Sequence, residues 1–213
     1  MEERERRSGK DRRLAVDRRK FDDPNYKGRE RRSRRSRRSG VERRKAESIL
    51  NGKSILAVDD EPDVLEILEE EIMAACPGCT FHKATTYEQA NELIRAWTYE
   101  LIILDIMGVR GFDLLELAVA YQRPVVMLTA HALNPEALKR SIEMGARAYL
   151  PKEKLGEIVP FLEDVLRYEN LAAWGRLLTN LKGRFIFRWG ENWKKVDEKF
   201  WKEFDKKIAL IKK

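Results

Sequence analysis

Three carboxylates, a hydroxyl and an ammonium stand directly behind short apolar runs in this 213-residue chain. Asp59 and Asp60 follow Ser54-Ile-Leu-Ala-Val58. Asp105 follows Leu101-Ile-Ile-Leu104, Thr129 closes the run that begins at Pro124, and Lys152 comes just after Arg147-Ala-Tyr-Leu150. Carboxylates brought close together repel and raise one another's pKa. A hard divalent cation relieves that repulsion, and carboxylate oxygens with water suit Mg2+. A lysine and a hydroxyl facing them suit a phosphoryl group, and a carboxylate can itself accept one. Taken singly, each residue has a plainer reading. Asp59-Asp60-Glu61-Pro62 makes an acidic helix start favoured by the helix dipole, Lys152 a surface lysine, and Tyr149 a core side chain. The chemistry requires elements that bring them all to one place.

The pattern between residues 52 and 170 supplies such elements. Continuous apolar runs of four or five residues fit strands buried on both faces of a parallel sheet. Strands are expected at 54–58, 80–83, 101–105, 124–129 and 147–150. Between them lie segments with helical spacing. The first opens at Pro62, whose missing N–H costs nothing there, and carries Val64, Leu65, Leu68, Ile72 and Met73. The second runs from Thr86 to Trp97 with Ala90, Leu93, Ile94 and Trp97 on one face, and the third from Phe112 to Tyr121. The fourth is capped by Asn134 and opened by Pro135, with Gly145 in the left-handed position past its end. The last starts near Gly156, with Pro160 in its first turn, and runs on toward Leu178. Five alternating units imply an α/β fold, a doubly wound five-stranded parallel sheet with helices on both faces. In such a sheet the strand ends, and so Asp59, Asp60, Asp105, Thr129 and Lys152, share the carboxyl edge.

Residues 52–170 resemble the receiver domain of bacterial two-component response regulators, a flavodoxin-like fold. The resemblance rests on the acidic pair after strand one, the Asp after strand three, Thr-Ala after strand four and Lys after strand five. The stretch Gly145-Ala-Arg-Ala-Tyr-Leu-Pro-Lys152 adds to it. It implies that Asp105 accepts a phosphoryl group from a sensor histidine kinase or phosphotransfer protein, and signals onward to a downstream protein through a conformational switch. It further implies Mg2+ held by Asp59, Asp60, Asp105 and the backbone carbonyl of Met107. Thr129 and Lys152 would contact the phosphoryl group, and Tyr149 would be the switch aromatic, turning inward as Thr129 moves. Two departures bear on the loops. Ile106–Gly111 is about two residues shorter than usual, with Gly108 where proline is usual. Glu153 also replaces a proline that is often cis in the family, a bond that would cost about 2.5–4 kcal/mol before a non-proline residue.

Charge divides the rest of the chain. The net charge is +10 over residues 1–47, −10 over 48–170 and +7 over 171–213. Residues 1–51 form a basic, arginine-rich tail in which an acid followed by two arginines recurs, as at Glu5, Asp11 and Asp17. With almost nothing apolar to bury, it is expected to be disordered alone. Paired arginines suit phosphate or carboxylate, so nucleic acid or an anionic surface are possible partners of the basic tails. The interleaved acids weaken that field, and a solvated tail is the plainer reading.

Residues 171–213 hold four of the five tryptophans. Trp193, Val196, Phe200, Phe204, Ile208 and Ile211 follow helical spacing among lysines, a basic amphipathic helix. It is expected to pack on its own receiver or on a partner. No catalytic output motif is present, so the chain reads as a signalling protein rather than an enzyme, with slow self-dephosphorylation at most. No run approaches a membrane span, and the charged N-terminus lacks the apolar core of a secretory signal, which suggests a cytoplasmic protein. Cys76 and Cys79, with His82 near, fall short of a four-ligand zinc site and read as structural.

Overall fold

The computed structural model describes residues 48–129, 135–168 and 170–211. The arginine-rich segment over residues 1–47, and the expected disorder there, lie outside them. So do Ala130, His131 and the Asn134 cap. Five parallel strands, β1 (Ser54–Val58), β2 (Thr80–Ala84), β3 (Leu101–Asp105), β4 (Val125–Thr129) and β5 (Ala148–Pro151), lie in the order β2-β1-β3-β4-β5. Between them run α1 (Pro62–Ala75), α2 (Tyr87–Ala96), α3 (Gly111–Ala120) and α4 (Pro135–Glu143), and α5 (Ile158–Arg167) follows β5.

The period of two along each strand divides the core. Leu56, Val58, Ile102, Leu104, Met127 and Tyr149 face the layer of α2, α3 and α4. Ile55, Ala57, Ile103, Val126, Leu128 and Leu150 face the layer of α1 and α5. The central strands β3 and β4 are buried throughout, which is why their sequences carry no polar alternation. The outer strand β2 is partly exposed, and Lys83 on it pairs with Glu69 of α1. Leu50 is fully buried with Cys76 and Cys79 beneath β1, so the fold begins ahead of the first strand.

The last helix does not run on toward Leu178. α5 ends at Arg167, where Tyr168 takes an extended backbone (φ −107°, ψ 147°), and a new helix, α6 (Asn170–Trp189), begins. A 3-10 turn (Trp193–Asp197) and α7 (Glu198–Ile211) follow. Trp97 lies beyond α2 with an extended backbone and is 56% exposed, its ring edge-on to His82. The C-terminal stripe matches the sequence reading at Phe204 and Ile208 and departs from it at its start. Trp193 and Val196 belong to the 3-10 turn, and Val196 is 66% exposed. Asp197 sets the start of α7 by accepting the Phe200 N–H (3.1 Å), and Trp201, Phe204 and Ile208 fill the buried face.

The helical extension packs on the receiver. α6 lies against β5 and α5, and the 3-10 turn lies against α4. Trp174, Leu177, Leu181, Phe185, Trp193 and Trp201 join the cluster that holds Met127 and Tyr149. Covering an outer strand this way removes a ladder edge that could pair with another chain.

Candidate functional site

The carboxyl ends of β1, β3, β4 and β5 bring the predicted residues together. Asp59 follows the last residue of β1 and is fully buried. Asp105 is the last residue of β3 and is 3% exposed. Asp60 is exposed at the mouth. One ligand oxygen from each of Asp59, Asp60 and Asp105 lies within 4.8 Å of the others. Thr129, at 6% exposure, is in register with Pro151, the residue before Lys152. Tyr149 sits inward on β5, buried in the core. His82 belongs elsewhere: its Nδ1 lies 2.7 Å from the Tyr99 hydroxyl. Cys76 and Cys79 are free buried thiols below the sheet, and Cys79 Sγ donates to the Leu50 carbonyl (2.8 Å).

Lys152 binds the cluster. Its Nζ lies 2.7 Å from Asp59 Oδ2, 2.8 Å from Glu61 Oε1 and 3.1 Å from Asp105 Oδ1. Burial works against the ammonium, but hydrogen bonds to Asp59 and Glu61 and the charge of Asp105 outweigh it and hold its pKa above the ordinary value. Asp59 is pushed up, chiefly by burial and further by the charge of Asp105; Lys152 and the Glu61 N–H offset only part of this. The two shifts pull in opposite senses for a single pair. Burial of Asp59 is complete and is the largest influence on that carboxyl.

The short loop after β3 orients Asp105. The N–H groups of Met107 and Gly108 both donate to Asp105 Oδ2, at 2.8 and 2.9 Å. The Met107 side chain itself points to solvent. The loop closes early because Arg110 takes the left-handed conformation (φ 54°, ψ 49°) before α3. That conformation costs a non-glycine residue roughly 1–2 kcal/mol. The Arg110 guanidinium stacks 4.3 Å over the Tyr87 ring and pairs with Asp113. At Gly111 a Cβ would lie 2.0 Å from the Asp105 carbonyl oxygen, so no other residue fits without moving the loop. At Gly108 a Cβ would occupy the position of the Asp60 carboxylate. The departure at Glu153 is met by a 3-10 turn (Lys152–Glu157), and no peptide bond is cis among the described residues.

Sequence reasoning named Glu61, Gly108 and Gly111 only in passing and missed their parts in the site. Glu61 follows the acidic pair and was legible as a neighbour. Its N–H caps Asp59 Oδ1 (3.0 Å) while its carboxylate holds Lys152. The two glycines act through the backbone, which composition does not reveal.

The donor set fits a hard divalent cation. All the acidic ligands are oxygens. Asp59 Oδ2 is buried and, although close to Lys152, makes no well-aligned hydrogen bond. A glycine leaves room beside Asp60. Lys152 reaches the Asp59 and Asp105 oxygens directly, and Thr129 closes the neighbouring strand at the same sheet edge.

Known proteins are similar to the segment that carries this site. The family model for the response regulator receiver domain matches residues 55–162. The two-component response regulator ARR18 of Arabidopsis thaliana is 33% identical over 134 residues, covering 60% of this chain and 20% of that protein. The transcriptional regulatory protein GltR of Pseudomonas aeruginosa is 30% identical over 148 residues, covering 56% of this chain and 57% of GltR. The chain thus spans about a fifth of the length of the plant relative. The signal receiver domain of NarL from Mycobacterium tuberculosis shares the fold, with a TM-score of 0.50 and 22% identity over 56% of this chain and 99% of that one. With a matched segment that begins in β1 and closes in α5, and with the acidic, hydroxyl and ammonium groups at one sheet edge, this chain belongs to the response regulator receiver domain family.

Proposed function

We propose that this protein accepts a phosphoryl group on Asp105 from the phosphohistidine of a sensor histidine kinase or phosphotransfer protein, and passes the signal on through protein contacts. The observation that carries this reading is the convergence of Asp59, Asp60 and Asp105 beside Lys152. Asp105 Oδ2 is engaged by two backbone N–H groups. Its Oδ1, facing Lys152, is the atom that attacks phosphorus. The P–O bond to Asp105 forms as the P–N bond breaks, and the electron pair stays on the imidazole nitrogen. Lys152 and the Thr129 hydroxyl take the phosphoryl oxygens.

Asp59 and Asp60, with the Met107 carbonyl and Asp105, hold Mg2+ in this reading. When bound, that ion neutralises charge between the carboxylates and the incoming phosphoryl oxygens. Lys152 shares that work, and in the ion's absence it is the positive charge that keeps Asp59 and Asp105 compatible with burial. Phosphorylation would then bias an equilibrium between two states, read through Thr129, β4–β5 and Tyr149.

The test is intact-mass measurement after incubation with phosphoramidate, in Mg2+ or in EDTA. A single phosphoryl adduct in Mg2+, lost in EDTA and in Asp105→Asn, supports the reading. No adduct under any condition sinks it, and leaves a receiver fold that works as a constitutive adaptor.

A further inference from the structure

We infer that the C-terminal hairpin α6–α7 is a latch on the outer strand β5, and that phosphorylation of Asp105 loosens it; this rests on the phosphoacceptor reading above. Four polar attachments hold the hairpin; Arg176 of α6 pairs with Asp164 of α5 (3.0 Å), and the other three each land beside an element that carries a site residue. The buried Trp174 Nε1–H of α6 donates to the Ala146 carbonyl (2.8 Å), three residues ahead of Tyr149. Asp197 takes Lys139 of α4 at 2.5 Å, and α4 is the helix that follows Thr129. Arg184 of α6 lies 3.6 Å from Glu153, the residue after Lys152. Within the hairpin, Gly175 lets Ile208 approach so closely that a Cβ would stand 2.8 Å from it.

The apolar contacts follow the same pattern. Trp174, Phe185, Trp193 and Trp201 belong to one cluster with Met127, Leu138 and Tyr149. Met127 and Tyr149 are in register across β4–β5, as are Thr129 and Pro151. A shift at Thr129 or Lys152 is therefore passed along two paired strands to the side chains on which the hairpin rests. Packed interfaces of this kind switch between discrete arrangements rather than deform smoothly.

Charge sets the direction. At rest one ammonium is shared among Asp59, Glu61 and Asp105. A phosphoryl group adds roughly 1.5 to 2 negative charges on Asp105 and draws Lys152 and the Thr129 hydroxyl toward it. Glu153 moves with Lys152, and its contact with Arg184 is the longest of the four attachments. Asp197 has two duties, pairing with Lys139 and capping α7, so slippage against α4 also unsettles the start of α7. The consequence of release is an uncovered β5 edge next to the site that was modified.

The experiment is amide hydrogen exchange on the full chain, with intact mass recorded from the same samples. With Mg2+ and phosphoramidate, exchange over 193–211 should accelerate about tenfold while α1 and β1 stay protected. Asp105→Asn should show no acceleration. Asp197→Asn should speed exchange over α7 without any donor, while still forming the adduct. Full adduct with unchanged or slower exchange over 170–211 overturns the latch and leaves the phosphoacceptor reading standing. Absence of adduct in the parent chain overturns both.

Discussion

Lys152→Met keeps most of the aliphatic stem and deletes the charge that three carboxylates share. Breaking a buried ion pair from one side costs about 3–5 kcal/mol, because the remaining charge is uncompensated. Here the loss is softened. Asp105 retains two backbone donors, Asp59 retains the Glu61 N–H, and Glu61 is exposed to water. The lower end, about 3 kcal/mol near neutral pH, is expected. For a chain of this size that corresponds to about 6–12 °C in Tm. The loss should depend on pH. Without the ammonium, Asp59, already pushed up by burial, has a folded-state pKa further above the unfolded value of about 3.9. Between those values the folded state binds more protons than the unfolded state, so stability rises as pH falls, and the deficit should shrink by about pH 5. Mg2+ supplies the missing charge and should raise Tm more in the variant than in the parent. Thermal melts at both pH values, with and without Mg2+, read all three effects. A Tm within about 2 °C of the parent near neutral pH, or a deficit equal at both pH values, would refute the electrostatic account of the site.

Gly111→Ala forces a Cβ against the Asp105 carbonyl and should cost about 1–3 kcal/mol and slow adduct formation; Gly156→Ala, with open space around it, should do neither in the same melts and mass assay. Burial pushes the Cys79 thiol up to about 11, so the folded protein should resist iodoacetamide at neutral pH, and alkylation should become fast only in denaturant; equal rates would contradict the buried placement. Leu104→Ala removes a fully buried side chain of the central strand and should lower stability by about 2–5 kcal/mol in urea unfolding.

The site was legible where chemistry is written at the end of an apolar run. β1 and β3 are continuous hydrophobic segments that stop at a carboxylate, and a parallel sheet brings such stops together. Tyr149 was assignable from its place ahead of Lys152, and it is buried as expected of a core or switch aromatic. The loop after β3 was not legible in its geometry. Its shortness shows in the sequence, but Arg110 adopts a left-handed backbone because Gly111 must pass beside the Asp105 carbonyl, and that is a contact between segments. The C-terminal helix was legible as amphipathic, but not in where it starts, for a related reason. Its start is set at Asp197, whose partner Lys139 lies 58 residues away, so a single helical stripe drawn from Trp193 included the exposed Val196 and passed over the buried Trp201. The break at Tyr168 likewise has no proline or glycine to announce it.

The most direct test of the central claim is to locate the acyl phosphate. Borohydride reduces an aspartyl phosphate to homoserine, so the protein treated with Mg2+ and phosphoramidate is reduced, digested and mapped by mass spectrometry. The account predicts conversion at position 105 alone, and none in the sample held in EDTA. Conversion at Asp59 or Asp60, or a phosphoryl adduct that leaves position 105 unreduced, would contradict it.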